Sequence, residues 1–149
     1  MSASRGGIRW GAVVLGWLVA VLAGLAISPA LRILYGALAG PDLERGELTV
    51  GLALVSVVSG FLAYLLGGYV AARVAGRAGG AHGALTAVCG LLVGLVLGIV
   101  LGLLGLVLIE GVAVPPATFG LAGEALAAGL VLFLVNLIGG YAGGRLGAR

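Results

Sequence analysis

Four long apolar runs decide what this chain can become. They lie at about 10–28, 50–72, 83–109 and 119–142. Each is close to the ~20 residues that an α-helix needs to cross the hydrocarbon core of a bilayer. The short links between them hold nearly all the charge: GPDLERGE at 40–47, VAGRAGGAH at 74–82 and EGVAVPPAT at 110–118. Hydrocarbon offers a backbone no water to bond, so a spanning segment must close its hydrogen bonds internally, as a helix does. The expected fold class is therefore all-α: a transmembrane four-helix bundle, a single membrane domain over 1–149. Composition agrees, at 62% hydrophobic and 9% charged residues with a mean hydropathy of +1.28. A soluble domain keeps about a quarter of its residues charged.

Two stretches leave alternatives. ALRILYGALA at 30–39 either continues the first helix past Pro29 or lies along the membrane surface. A continued, kinked helix with Arg32 reaching the headgroups is the preferred reading. Arg5, Arg9 and the sequence Ser28-Pro29-Ala30 also have the outline of a signal peptide. The apolar run at 10–27 is longer than a usual signal core, and removing it would leave an odd number of spans, so it is read as a span.

Arginine placement sets the expected orientation. All eight basic residues are Arg, which with abundant Gly and Ala reads as the codon bias of a GC-rich bacterium. Arg5, Arg9, Arg73, Arg77, Arg145 and Arg149 fall on one side of a four-crossing topology. Asp42, Glu44, Glu47, Glu110 and Glu124 fall on or near the other, with only Arg32 and Arg45 beside them. Basic flanks stay in the cytoplasm. The expectation is a multi-pass protein of the bacterial inner membrane with both termini cytoplasmic. The arginines would then meet anionic lipid headgroups. The basic pI of about 9.6 follows from this topology and implies no nucleic acid.

The chain also repeats itself. FLAYLLGGYVAARVAGR at 61–77 lies over FLVNLIGGYAGGRLGAR at 133–149, 72 positions on, and the Phe, both Leu, Gly-Gly, Tyr and both Arg match. The period holds two crossings, so both copies enter the membrane the same way round. The simplest architecture is two tandem helical hairpins, about 8–77 and 80–149, related by a pseudo-two-fold axis along the membrane normal. The repeated Tyr69, Arg73, Tyr141 and Arg145 read as anchors at the inner interface. A sharper reading makes them one two-fold site for an anionic headgroup.

Leucine is no more apolar than lipid, so spans associate through close contact at small residues. Each span carries such residues at every fourth position. Span one has Gly16, Ala20, Gly24 and Ser28; span two has Ser59, Ala63, Gly67 and Ala71. Span three has Gly90, Gly94, Gly98 and Gly102; span four has Gly139, Gly143 and Gly147, with Gly140 and Gly144 alongside. Three linked GxxxG units make span three the expected centre of the bundle or a homodimer seam.

Polar groups are too few for enzyme chemistry, and none is spaced as a metal site. His82, the single histidine, sits in a link, and Cys89, the single cysteine, lies in an apolar run. No nucleotide loop occurs, and no cofactor is implied. Glu124 reads as a boundary acid or a cation-attracting mouth. Asn136 is an amide inside a span, its repeat mate is Tyr64, and polar groups at membrane depth often carry function. A wet path would run near Asn136, Tyr64, Thr86 and Ser56.

GGYVAARVAGRAGGAHGAL at 67–85 resembles a group of small four-span bacterial membrane proteins of unknown function. In them a Gly-Gly-Tyr turn and an AxR-x-AGR stretch follow the second helix. That resemblance implies a fold and no activity. Small multidrug exporters also have four spans but place a Glu deep in the first, where this chain has none; the polar track of fluoride channels is missing too. Two expectations remain. One is a protein without chemistry of its own that acts through helix packing, as an accessory, assembly or self-associating subunit, with a second copy or other membrane subunits as partners. The other is a channel or transporter for a small solute or ion, working as a homo-oligomer.

Overall fold

The computed structural model describes residues 7–39, 50–76, 78–108 and 123–149. These form four helices: α1 (Trp10–Ala39), α2 (Val50–Ala75), α3 (Gly79–Leu108) and α4 (Gly123–Gly147). All four are long and apolar enough to cross a membrane. The chain is thus an all-α, multi-pass membrane bundle. Its packing is the reverse of a soluble core. Leu, Ile and Val dominate the exposed surface, while the buried apolar side chains are Val13 and alanines such as Ala20, Ala63, Ala71 and Ala87.

Two elements differ in extent from their apolar runs. α1 continues as one helix through Pro29 to Ala39, with Arg32 exposed. Pro29 can donate no hydrogen bond to the preceding turn, yet the helix persists beyond it. At the other end of the bundle, the helices extend into the link expected at 74–82, α2 to Ala75 and α3 from Gly79. Gly76, at φ +70°, ends α2, and its N–H bonds the Ala72 carbonyl at 2.9 Å. This is the left-handed glycine stop common at helix C-termini. Ala78 follows at φ 47°, a conformation that costs a non-glycine residue about 1 kcal/mol. α3 then starts at Gly79, which puts His82 inside a helix instead of a link.

α2 and α3 each touch all three other helices, but α2 is the central one because it carries the two largest interfaces, with α1 and with α4; among the described residues α1 and α4 have no Cα atoms within 8 Å of each other. This corrects the expectation that span three is central. The stripes expected on spans one and two do meet. Gly16 faces the Gly67 carbonyl and Ala71, and Gly67 faces Ala20. α4 packs on two sides. Gly139, Gly143 and Gly147 rest on the α2 carbonyls of Phe61, Leu65 and Tyr69. Gly140 and Gly144 rest on Gly83 and Gly79 of α3. In most of these places a methyl group would overlap backbone atoms, so the helices approach main chain to main chain.

The two hairpins stand the same way round: α2 runs parallel to α4, and Gly68 packs on Gly140, its counterpart 72 residues on. Yet the repeated letters are used differently. The Gly67 stripe faces α1, whereas the matching Gly139 stripe faces α2. A strict two-fold would also pair α1 with α4 as it pairs α3 with α2. The bundle departs from that symmetry.

α3 joins the bundle through Gly79, Gly83, Thr86, Ala87 and the first glycine of its long stripe, Gly90. Gly90 is covered by the Tyr64 hydroxyl, but nothing lies within 4 Å of a methyl group built on Gly94 or Gly98. Gly102 belongs to α3, and its surroundings are outside the described residues.

Candidate functional site

At mid-length the bundle holds a polar cleft in an apolar setting. Tyr64 stands nine residues before Arg73, and Asn136 nine before Arg145. At 1.5 Å per residue each lies about 14 Å from its arginine, roughly the middle of a ~30 Å hydrocarbon core. The two side chains line one groove of about 370 Å³ between α3 and α4. Leu91, Leu95, Leu132 and Phe133 form its walls, and Gly94 and Gly129 its end away from the arginines.

Each polar group reaches the groove because a glycine admits it. The Tyr64 hydroxyl lies over Gly90, and the Asn136 side-chain oxygen lies against Gly60; a methyl group at either glycine would collide. Gly60 and Tyr64 are four residues apart, hence on one face of α2. The Asn136 Oδ1 atom is buried and accepts no hydrogen bond. Neither the Asn136 nitrogen nor the Tyr64 hydroxyl has a hydrogen-bond partner among the described residues.

Thr86 and Ser56, also expected along a wet path, do not join this groove. The Thr86 hydroxyl is fully buried and donates to the Gly83 carbonyl of its own helix. Ser56 donates to Leu52 in the same way at 3.0 Å. Thr86 instead fills the junction of three helices, its methyl facing Gly16 and its hydroxyl close to Gly140. Cys89 is a free thiol, partly covered. Glu124 lies in the first turn of α4, its side chain outside the described residues, as is Glu110 altogether.

At the arginine end the repeated GGYxxxR stretches form two similar units. The Arg73 guanidinium lies 5.3 Å from the Tyr69 ring centre and donates to the Tyr69 hydroxyl at 3.1 Å. Arg145 lies 5.9 Å from the Tyr141 ring. Both arginines are exposed, and each tyrosine presents an amphipathic ring beside a charge. The pairs stay on their own helices; no hydrogen bond or ion pair joins one to the other among the described residues.

His82 does structural work that its glycine-rich sequence context conceals. It is 1% exposed. Its Nε2 accepts the backbone N–H of Arg9 at 3.0 Å, and its Nδ1 lies 3.0 Å from the Ala78 carbonyl. An N–H can only donate, so Nε2 is the acceptor and Nδ1 carries the proton: the ring is neutral. Arg9 in turn sends its guanidinium to the last carbonyls of α2, at 3.0 Å from Val74 and 3.4 Å from Ala75. A cation there complements the helix dipole. One histidine and one arginine thus tie together the start of α1, the end of α2 and the start of α3. The signal for this in the sequence is the pair Gly79 and Gly83, a GxxxG unit that marks the stretch as packed helix. No protein family's sequence model matches the chain, and neither does any curated protein or solved structure.

Proposed function

We propose that this chain is a bacterial inner-membrane protein, with both termini cytoplasmic, that works through helix association and has no chemistry of its own. It serves as an accessory, assembly or self-associating subunit. The observation that carries this reading is the bare pair Gly94 and Gly98. The other small-residue stripes face a neighbouring helix, while nothing lies within 4 Å of a methyl group added at these two, Gly94 at the mouth of the α3–α4 groove and Gly98 one turn beyond it. In lipid such a stripe is the preferred seat for another helix. The six-against-two arginine bias supports the orientation, with the Tyr69–Arg73 and Tyr141–Arg145 pairs as its anchors.

The channel reading has less support. Thr86 and Ser56 spend their hydroxyls on their own helices, and the bundle centre is filled by main-chain contacts. The test is energy transfer between donor- and acceptor-labelled copies in liposomes, diluted over a series of lipid ratios. Wild type should associate, and Gly98→Leu should not. Equal transfer in both would remove the α3 seam. Solute flux through wild-type liposomes that is lost in Asn136→Leu would favour the channel instead.

A further inference from the structure

We infer that the groove between α3 and α4 binds a neutral, lipid-soluble carbonyl compound, with a quinone-type ring as the class that fits. The groove is lined by two groups able to donate that find no partner among the described residues, the Asn136 amide nitrogen and the Tyr64 hydroxyl. Both stand near the middle of the membrane, where neither water nor a phospholipid ester is at hand to accept from them. A polar group unpartnered there is unfavourable, so a complementary acceptor gains by arriving.

Three further properties narrow the occupant. Among the described residues no charged side chain lines the groove, so the ligand is uncharged. The polar end is the deep end, and the apolar end, at Gly94, Leu95 and Gly129, points away from the arginines. A phospholipid has the opposite order, with its head at the surface and its chains at the centre, so its acyl chains leave the donors unmet. Gly94 and Gly129, with nothing within 4 Å of an added Cβ, leave a side-chain-free slot between aliphatic walls, the shape that takes a flat ring, and the Tyr64 hydroxyl over Gly90 closes its deep end. In this pose the Asn136 N–H groups turn to the ring while Oδ1 stays against Gly60. The ring carbonyls accept from Asn136 and Tyr64, and the tail lies along Leu95 and Leu132.

The experiment uses the full chain in lipid nanodiscs. Trp10→Phe leaves Trp17 as the single tryptophan, and its indole edge is 3.3 Å from where a Cβ on Gly90 would sit. The probe is a decyl-substituted 1,4-benzoquinone, which quenches indole fluorescence on contact. The expected result is saturable quenching at one quinone per chain, with decylbenzene unable to compete. Combining Asn136→Leu with Tyr64→Phe should weaken the saturable phase about tenfold or more. Gly129→Leu should abolish it by filling the slot; Gly129 has nothing within 4 Å of an added Cβ, so this variant keeps the fold and decides the matter if the double variant does not fold. Quenching that rises linearly with quinone and is the same in every variant would overturn the proposal. So would saturable quenching that survives Gly129→Leu. A third contrary outcome is a wild type with no saturable phase whose dimer is dispersed by Gly129→Leu, since a second copy would then own the groove.

Discussion

The stripe on α4 and the stripe on α3 are written in the same alphabet and do different work. Gly139, Gly143 and Gly147 are seated against α2 backbone. Gly94 and Gly98 on α3 have nothing within 4 Å of an added methyl group. Both stripes have a period of four, and α3 has the longer one. The difference lies opposite them. α4 meets a parallel helix whose carbonyls at 61, 65 and 69 repeat at the same spacing, while no neighbour comes within 4 Å of a methyl group added at Gly94 or Gly98. A stripe of small residues licenses close approach; the surface across from it decides whether approach occurs.

The sharpest way to break this contrast is a bulky residue on the occupied stripe. Gly143→Leu puts side-chain atoms into the Leu65 carbonyl, which cannot move without shifting α2. We expect a loss of about 3 kcal/mol or more in SDS-titration unfolding, and no monodisperse species in detergent. Full stability in this variant would mean that α4 is not seated on α2 as described.

Next in size is the tie at the arginine end. His82→Ala leaves the part-buried Arg9 N–H without its acceptor, while the Ala78 carbonyl keeps the His82 backbone N–H at 3.2 Å. The expected loss is about 2 kcal/mol by the same titration. A change below ~0.5 kcal/mol would show that the three helix ends are not coupled through this ring.

The smallest effect belongs to the bare stripe. Gly98→Ala adds a methyl group into open space and improves helix propensity. In dilute detergent, where copies are apart, stability should be unchanged or raised by up to ~1 kcal/mol. A loss of stability there would place Gly98 inside the bundle.

The spans are legible in the sequence because hydrophobicity over twenty residues is a direct consequence of the solvent. The pairing of spans one and two is legible for a related reason: the two stripes, Gly16-Ala20-Gly24 and Ala63-Gly67-Ala71, have matching length and spacing. The central helix is not. Ranking helices by glycine count selects α3, whereas centrality belongs to α2, which offers plain backbone at Phe61, Leu65 and Tyr69 on one face and small residues on another. The helical start at Gly79 is hidden by poor propensity, since Gly-Gly reads as a link until tertiary contact with α4 outweighs it. Asn136 and Tyr64 stand out as a repeat pair, but their meeting in one groove requires the glycines at 60 and 90. His82 is hidden because a lone polar residue beside glycines looks solvated in sequence and is 1% exposed in the fold.

The most direct test of the central contrast is a cysteine scan along 91–104 in a Cys89→Ala background, read as disulfide-linked dimer in native membranes. The bare stripe predicts cross-linking that peaks at 94 and 98 and falls to background at Val96, Val100 and Leu103 on the opposite face. A flat profile, or maxima at those three positions, would contradict it.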